Sequence, residues 1–394
     1  MSTAPTFAAR QSSAATEDSS SKESPRDKED PLALHHLPTA TASFHEHVGV
    51  EATAKDSNLR RTTSTIQRTR GLLGLHPIAP VIEEHDTAEH SDLWWSKIRL
   101  ILREPLLEFF GTFILVLFGD GSVAQVLLST GQKSAPGGDG YGNYNNINWG
   151  WALGVMLGIY VAGDSGAYLN PAITFTSCVL RKLPWRRFPA YLIAQFLGGF
   201  VAAGVIYANY INGINKVEGH NIRTVPPSPT ATAGIFCTYP QPGVTKAGQF
   251  FDEFIASALL MFVIFALKDD SNKGSFSASG SFFPLALFFL IYGIGACFGW
   301  QTGYAINLAR DFGPRLMSYA VGYGDAVWSA GGYYFWIPIV APFCGCLFGG
   351  LLYDVFIYTG PSPINTPWFG LKEFLHPRKA IRDRIQQQKA EGLV

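Results

Sequence analysis

The sequence predicts an all-α membrane protein in which six transmembrane helices and two re-entrant half-helices form an inverted repeat. Three observations carry this prediction. Six segments are apolar over about the 20 residues that a membrane-spanning helix needs. Two further apolar stretches, which begin at Asn170 and Asn307, are too short to cross a bilayer. The two halves of the apolar region also share sequence motifs in the same order.

The composition divides the chain into two regimes. Of the 394 residues 47% are hydrophobic, and 30 Lys and Arg balance 30 Asp and Glu, which leaves no charge excess for binding nucleic acid. Residues 1–95 are polar, so we expect a disordered cytoplasmic tail that buries too little apolar surface to offset its chain entropy. Residues 96–360 form the membrane domain, and residues 361–394 a cytoplasmic C-terminal tail.

The six predicted spans are joined by polar connections. They cover roughly residues 105–128, 147–163, 187–210, 250–268, 281–300 and 334–358. Lys and Arg concentrate before the first span, after the first half-length stretch and after the last span, whereas the loop at 129–146 carries a single Lys. By the positive-inside rule both termini are cytoplasmic. We therefore expect a multi-pass protein embedded in the lipid bilayer of the plasma membrane.

Cysteine and histidine usage gives no sign of a metal or cofactor site. The five cysteines show no CxxC spacing, and none of the nine histidines falls inside an apolar run. The sequence therefore predicts no metal site and no cofactor.

An internal repeat determines how the spans are arranged. The stretch that begins at Glu108 resembles the one at Glu253, and SGAYLNPAITF from Ser165 resembles TGYAINLARDF from Thr302, at offsets of 145 and 137 residues. Three spans separate the copies, so the second half is inserted upside down relative to the first. In such a plan the two broken helices meet at the bilayer midplane.

Glu108 and Glu253 lie just inside spans, where an unpaired carboxylate is costly. Two interpretations are open. Each residue can mark a span end within reach of headgroup water. Alternatively, each carboxylate accepts backbone N–H groups of the adjacent re-entrant loop, because non-helical backbone at this depth needs partners from the protein or from pore water.

The two half-length stretches begin with helix-start signals. Asn is a strong N-cap and proline is favoured directly after it. Each start presents unpaired N–H groups and about half a positive charge. Two starts that face each other form a barrier that repels cations and protons and lets neutral molecules pass. The two motifs are Asn170, Pro171 and Ala172 and, in the second half, Asn307, Leu308 and Ala309.

Leu308 stands where the first motif has proline. Proline restricts the backbone and lacks an N–H, so leucine should loosen this helix start by about 0.4–1 kcal/mol. Asn307 still caps the helix, and the additional N–H can face pore water. We therefore interpret the second motif as altered and still working.

Six spans, an inverted repeat and the stretches GAYLNPAITF from Gly166 and GYAINLARDFGPRL from Gly303 resemble the aquaporin, or major intrinsic protein, family. The resemblance covers about residues 100–360, and the doubled motif in this topology is highly specific. It implies a homotetramer of independently conducting pores, each lined by Asn170 and Asn307. No catalysis is expected.

The resemblance also implies an outer constriction. Arg310 would offer guanidinium donors to hydroxyls and repel cations, two aromatic rings would give an apolar wall to a carbon chain, and a glycine would leave room. The alternatives are that Arg310 is a charge paired in a vestibule and that Trp151 is an aromatic residue of the membrane interface. The positions that match the family's constriction are Trp151, Gly295, Tyr304 and Arg310.

Further positions resemble the glycerol-conducting branch, and the long tails resemble those of its fungal members. The implied function is a passive channel for glycerol and other small neutral solutes, with water permeation. The alternatives are a water-selective channel and a non-conducting or gated scaffold. An alternating-access transporter is disfavoured, because the spans lack the ionisable coupling residues expected of one. The four branch positions are Asp311, Arg315, Pro338 and Ile339.

Two residues depart from the family pattern near the first motif. Tyr168 stands where the family commonly has histidine, and Asp164 adds a carboxylate to the loop on the cytoplasmic side. Both suit a gate in the inner vestibule. Alternatively, Tyr168 packs in place of the histidine and Asp164 is solvated in the mouth.

Overall fold

In the computed structural model, every regular element of the described chain is a helix. The structure describes residues 65–75, 93–132, 139–274 and 282–366, with a few positions between 370 and 386. Most of both predicted tails lies outside these residues. The helices are α1 (65–72), α2 (Trp94–Ser129), α3 (Tyr144–Ala162), α4 (Pro171–Leu180), α5 (Arg187–Glu218), α6 (Lys246–Leu267), α7 (Phe283–Thr302), α8 (Leu308–Ser318), α9 (Ala326–Tyr333) and α10 (Ile337–Phe356).

All six predicted spans fall on helices. Helices α5, α6 and α7 and the segment Ala326–Phe356 are long and apolar enough to cross a membrane by length and composition. The other two predicted spans, α2 and α3, contain the buried polar side chains Glu108, Asp120 and Asn148. Helix α2 begins well before residue 105 because Lys and Arg are good helix formers, so its charged first turns continue the helix beyond the apolar run.

The helix contacts repeat between the two halves. Helix α2 packs on α3 and α5, and α6 packs in the same way on α7 and α10. Equivalent glycines allow the close approaches: a Cβ at Gly198 would collide with the Phe109 carbonyl oxygen, and one at Gly345 with the Phe254 carbonyl oxygen. Half-helices α4 and α8 touch each other between the two halves, as the inverted repeat predicts.

Residues 65–75 correct the prediction of a wholly disordered N-terminal tail. The Arg70 side chain is fully buried, and its guanidinium donates to the Glu104 carboxylate and to the Leu100 carbonyl. Leu75 is also fully buried. The composition of this segment does not reveal its attachment. The carboxylate that binds Arg70 lies in another helix, and such long-range pairs leave no local signal.

Removing the buried arginine tests this attachment. We expect Arg70→Ala to lower the thermal unfolding midpoint, because the Glu104 carboxylate is left buried without its partner at a cost of about 3–5 kcal/mol. Deletion of residues 1–64 should leave the midpoint unchanged. Arg68 of the same helix is exposed, so Arg68→Ala is the matched control. Size-exclusion profiles after heating in detergent give the midpoints, and equal values for the two alanine variants would contradict the attachment.

Candidate functional site

A cavity runs between the two halves of the fold. Its empty volume, counted to its open ends, is about 690 Å³. Both motif asparagines line it, together with Trp151, Tyr304 and Arg310. Much of the remaining wall is aliphatic. The aliphatic side chains include Val155, Ile159, Leu260, Ile264, Leu287 and Ile291.

The two motif asparagines make reciprocal contacts. Asn170 Oδ1 accepts the N–H of the second residue of α4 at 2.9 Å, and its Nδ2 donates to the Ile306 carbonyl at 2.8 Å. Asn307 Oδ1 caps α8 in the same way at 2.9 Å, and its Nδ2 donates to the Leu169 carbonyl at 2.8 Å. Each asparagine therefore fixes its own half-helix and the loop of the other half. Each amide also has a second N–H, which is available to a molecule in the cavity.

The Glu108 carboxylate holds the loop that leads into α4. It is fully buried and accepts the backbone N–H groups of Tyr168 at 3.0 Å and Leu169 at 2.8 Å. The Ser165 hydroxyl and the Gln195 amide donate to it as well. These four donors offset the cost of burying the charge.

Glu253 occupies the equivalent place in the second half. It is fully buried and accepts the N–H groups of Ala305 at 2.9 Å and Ile306 at 2.7 Å, with the hydroxyls of Thr302 and Tyr334 as further donors. The contacts of both carboxylates favour the second interpretation, in which each carboxylate accepts backbone N–H groups of a re-entrant loop. Contact with headgroup water would require an exposed carboxylate.

Both re-entrant loops have strained backbone that aligns their peptide groups. Ala167 and Leu169 have φ of 49° and 52°, and Tyr304 and Ile306 have φ of 40° and 43°. Non-glycine residues in this region cost of order 1–3 kcal/mol each. Because the peptide unit is planar and trans, a carbonyl points away from the N–H of the same unit. The N–H groups face the carboxylates, so the carbonyls of these units face the cavity as hydrogen-bond acceptors.

Arg310, Trp151 and Tyr304 meet at one end of the cavity. They are 8%, 4% and 5% exposed, and the Arg310 guanidinium carbon lies 3.9 Å from the centroid of the Trp151 ring. Arg310 Nη1 donates to the Phe236 carbonyl at 3.4 Å. A guanidinium has five N–H donors, so others are available to hydroxyls of a solute. This end combines one donor cation with two aromatic faces.

The expectation that Gly295 itself widens this constriction needs correction. Gly295 is not among the residues that line the cavity. A Cβ at Gly295 would collide with Asn148 Oδ1 and stand 2.8 Å from the Tyr304 hydroxyl oxygen. Tyr304 donates to Asn148 Oδ1 at 2.9 Å. The glycine therefore makes room for a tyrosine and an asparagine, and these side chains set the shape of the passage.

Asn148 is the site residue that sequence reasoning missed. It is buried near the start of α3 and bonds to a side chain 156 positions away. Its one local signal is an amide inside an apolar helix. That signal is weak, because Asn145 and Asn146 precede it in the same turns.

The branch residues of α8 stabilise the loop that carries the Phe236 carbonyl. Asp311 and Arg315 form a buried ion pair with a distance of 2.9 Å between Oδ1 and Nε. Asp311 accepts the Thr238 N–H at 2.8 Å, and Arg315 Nη2 donates to the Thr238 carbonyl at 2.6 Å. The ion pair thus stabilises the loop whose Phe236 carbonyl accepts a hydrogen bond from Arg310. Pro338 and Ile339 lie in the first turn of α10 and do not line the cavity.

The predicted gate residues lie in different places. Tyr168 lines the cavity, and its ring centroid is 6.0 Å from that of Tyr191. Asp164 is exposed, pairs with Arg103 and does not line the cavity. Tyr168 alone is therefore placed to narrow the passage.

Comparisons with known proteins agree on one family. A sequence model described as Major intrinsic protein matches residues 95–353. The chain is 62% identical over 294 residues to Aquaglyceroporin-9 of Botryotinia fuckeliana, covering 74% of this chain and 62% of that protein. It is 61% identical over 287 residues to Probable aquaglyceroporin-2 of Gibberella zeae, covering 73% of this chain and 82% of that protein.

A solved structure has the same arrangement of helices. The X-ray structure of the aquaglyceroporin from Plasmodium falciparum matches with a TM-score of 0.56 and 30% identity. The match covers 65% of this chain and 96% of that chain. The match covers less than two thirds of the length of the Botryotinia relative.

Proposed function

Because the chain belongs to the major intrinsic protein family, we propose that it conducts glycerol and other small neutral solutes through the described cavity, with water alongside. It is an integral membrane protein with the aquaporin fold. The relatives at 61–62% identity are named as aquaglyceroporins, which supports the choice of solute.

The observation that carries the proposal is the mixed lining of the cavity. It combines the amides of Asn170 and Asn307 and residues of both re-entrant loops with many aliphatic side chains. Glycerol is mixed in the same sense, with hydroxyls along one edge and C–H groups along the other. At the narrow end Arg310 would donate to hydroxyls while Trp151 and Tyr304 cover the carbons.

Positive charge along the passage supports the exclusion of cations. Two half-helix starts and the Arg310 guanidinium place positive charge along the passage, and cations are repelled where water is scarce. The two re-entrant carboxylates are occupied by backbone donors and do not line the cavity. A neutral solute meets donors and acceptors, whereas a cation meets repulsion.

We further infer a homotetramer in the plasma membrane with both termini in the cytoplasm. The basic residues at the start of α2 support that orientation by the positive-inside rule. Exposed aromatic side chains such as Phe110, Phe289 and Trp300 suit contact with lipid or with neighbouring subunits. Chemical cross-linking in native membranes tests the assembly.

Stopped-flow light scattering on proteoliposomes tests the function. Shrinkage in an impermeant osmolyte measures water flux, and re-swelling in glycerol measures solute flux. We expect both to exceed those of protein-free liposomes. Fast shrinkage with glycerol flux at background would indicate a water-selective channel, and background values for both would indicate a non-conducting scaffold.

Filling the space at Gly295 tests the constriction. We expect Gly295→His to reduce glycerol flux by at least about tenfold while water flux stays measurable, because the imidazole displaces Tyr304 into the passage. Gly293 of the same helix faces open space, so Gly293→Leu is the matched control. Equal glycerol flux in the Gly295 variant and the parent would show that the constriction lies elsewhere.

A further inference from the structure

A second charged side chain lines the cavity. Lys268 is the C-cap residue of α6, and its Nζ lies 4.7 Å from the centroid of the Phe283 ring and 5.7 Å from that of Tyr168. Contacts between an ammonium and aromatic faces are attractive. Among the described residues that line the cavity, Lys268 and Arg310 are the charged ones.

The two cations lie at opposite ends of the passage. Lys268 is next to Phe283, the first residue of α7, whereas Arg310 interacts electrostatically with Tyr304, which follows the end of that helix. Helix α7 has 20 residues, so its ends are about 30 Å apart. The two motif asparagines lie between them. A solute therefore passes one cation at each mouth.

Among the described residues, the contacts of the Lys268 ammonium are with the rings of Phe283 and Tyr168. The neighbouring carboxylate of Asp269 accepts from Ser271 and Tyr353. The connection at 275–281 contains no acidic residue. Glu108, whose carboxylate is fully buried, already accepts from four donors. The Lys268 side chain is itself exposed, so water at the mouth of the cavity can solvate its ammonium.

We propose that Lys268 is a second cation filter at the mouth near Tyr168, and that Lys268 and Arg310 each suffice to exclude cations. The proposal rests on the channel function proposed above and adds a specificity residue to it. Repulsion between like charges grows as the effective dielectric constant falls, and the aliphatic wall keeps it low. The aromatic contacts hold the ammonium over the entrance, where a free lysine side chain would turn toward bulk water.

Urea and guanidinium are the probes that separate charge from size. They have the same planar shape, and guanidinium stays charged at every accessible pH. Uptake of each into proteoliposomes is measured for the parent, Lys268→Met, Arg310→Met and the double variant. Two further proteins carry Lys268→Arg or Lys268→Glu together with Arg310→Met. Lys273→Met, which removes an exposed lysine of the same connection, is the matched control.

The expected readout is the ratio of guanidinium flux to urea flux. It should be at background in the parent, both single variants and the Lys273 control, and at least about tenfold higher in the double methionine variant. In the Arg310→Met background the ratio should rise in the order arginine, methionine, glutamate at position 268. If the methionine double variant does not assemble, the arginine and glutamate proteins give the same comparison.

Two outcomes overturn the inference alone. If Arg310→Met conducts guanidinium as freely as the double variant, Lys268 excludes nothing. If the ratio is independent of the charge at position 268, the half-helices suffice. A parent protein that passes neither urea nor glycerol would overturn the proposed function, and this inference with it.

Discussion

Asn307→Ala is expected to reduce glycerol flux by at least about tenfold, because one side chain supplies three interactions. Its Oδ1 caps α8, its Nδ2 donates to the Leu169 carbonyl at 2.8 Å, and its second N–H is available to a solute because Asn307 lines the cavity. Loss of the cap alone costs about 0.5–2 kcal/mol. Loss of the bond from Nδ2 leaves the carbonyl of Leu169, a residue with strained backbone, without this donor. Glycerol re-swelling of proteoliposomes measures the effect.

Two variants locate the cause of that loss. Asn307→Asp keeps an acceptor for the cap, but it removes both N–H donors and places a carboxylate beside the Leu169 carbonyl, so it should conduct poorly although the cap remains. Asn212 is an exposed asparagine of α5, and Asn212→Ala should conduct like the parent. Parental glycerol flux in Asn307→Ala would mean that solutes pass by another route.

Glu253→Ala is expected to have the largest effect on stability. The backbone N–H groups of Ala305 and Ile306 would lose their acceptor in a fully buried site, at about 1–3 kcal/mol each. The positive-φ backbone at Tyr304 and Ile306 would also lose the contact that offsets its strain. A large drop in the thermal unfolding midpoint, measured by size exclusion after heating in detergent, is the predicted result.

Glutamine at the same position is the graded control. Glu253→Gln keeps one acceptor oxygen and turns the other into a donor, so its midpoint should fall between those of the parent and Glu253→Ala. Unchanged midpoints in both variants would mean that water satisfies the loop. The headgroup-water interpretation of this carboxylate would then be correct.

The fold class predicted from the sequence is confirmed. It could be predicted because the sequence signals that indicate it are local or periodic. Apolar runs of span length mark the helices, and the N-cap asparagines mark the half-helix starts at Pro171 and Leu308. The internal repeat also indicates the topology, because an odd number of spans between the two copies inserts the second copy upside down. None of these inferences requires knowledge of which side chains meet.

Two of the features that the sequence did not predict depend on long-range pairs. Arg70 was placed in a disordered tail because its partner Glu104 belongs to a different helix. Gly295 was assigned to the passage itself, yet the space beside it is filled by Tyr304 and Asn148. In each case an ordinary local pattern acquires its role from a residue brought close only by the fold.

Span boundaries differ from prediction for another reason. Helix α5 continues to Glu218 and α2 starts at Trp94, although the apolar runs are shorter at those ends. A hydropathy pattern locates the membrane, whereas backbone hydrogen bonds set the helix ends. At the start of α2, Lys97 and Arg99 have high helix propensity and extend the helix without any signal in the apolar run.

The proposed function requires that the pore conducts glycerol with Leu308 in the second motif. Asn307 caps α8 as Asn170 caps α4, so the proline that is missing at position 308 should matter little. The most direct measurement compares glycerol re-swelling of proteoliposomes that contain the parent protein or Leu308→Pro, at equal protein density. The predicted result is parent flux well above that of protein-free liposomes and a Leu308→Pro flux within about twofold of it. A parent at background that opens about tenfold or more with Leu308→Pro would contradict the claim and would make Leu308 the residue that closes the pore.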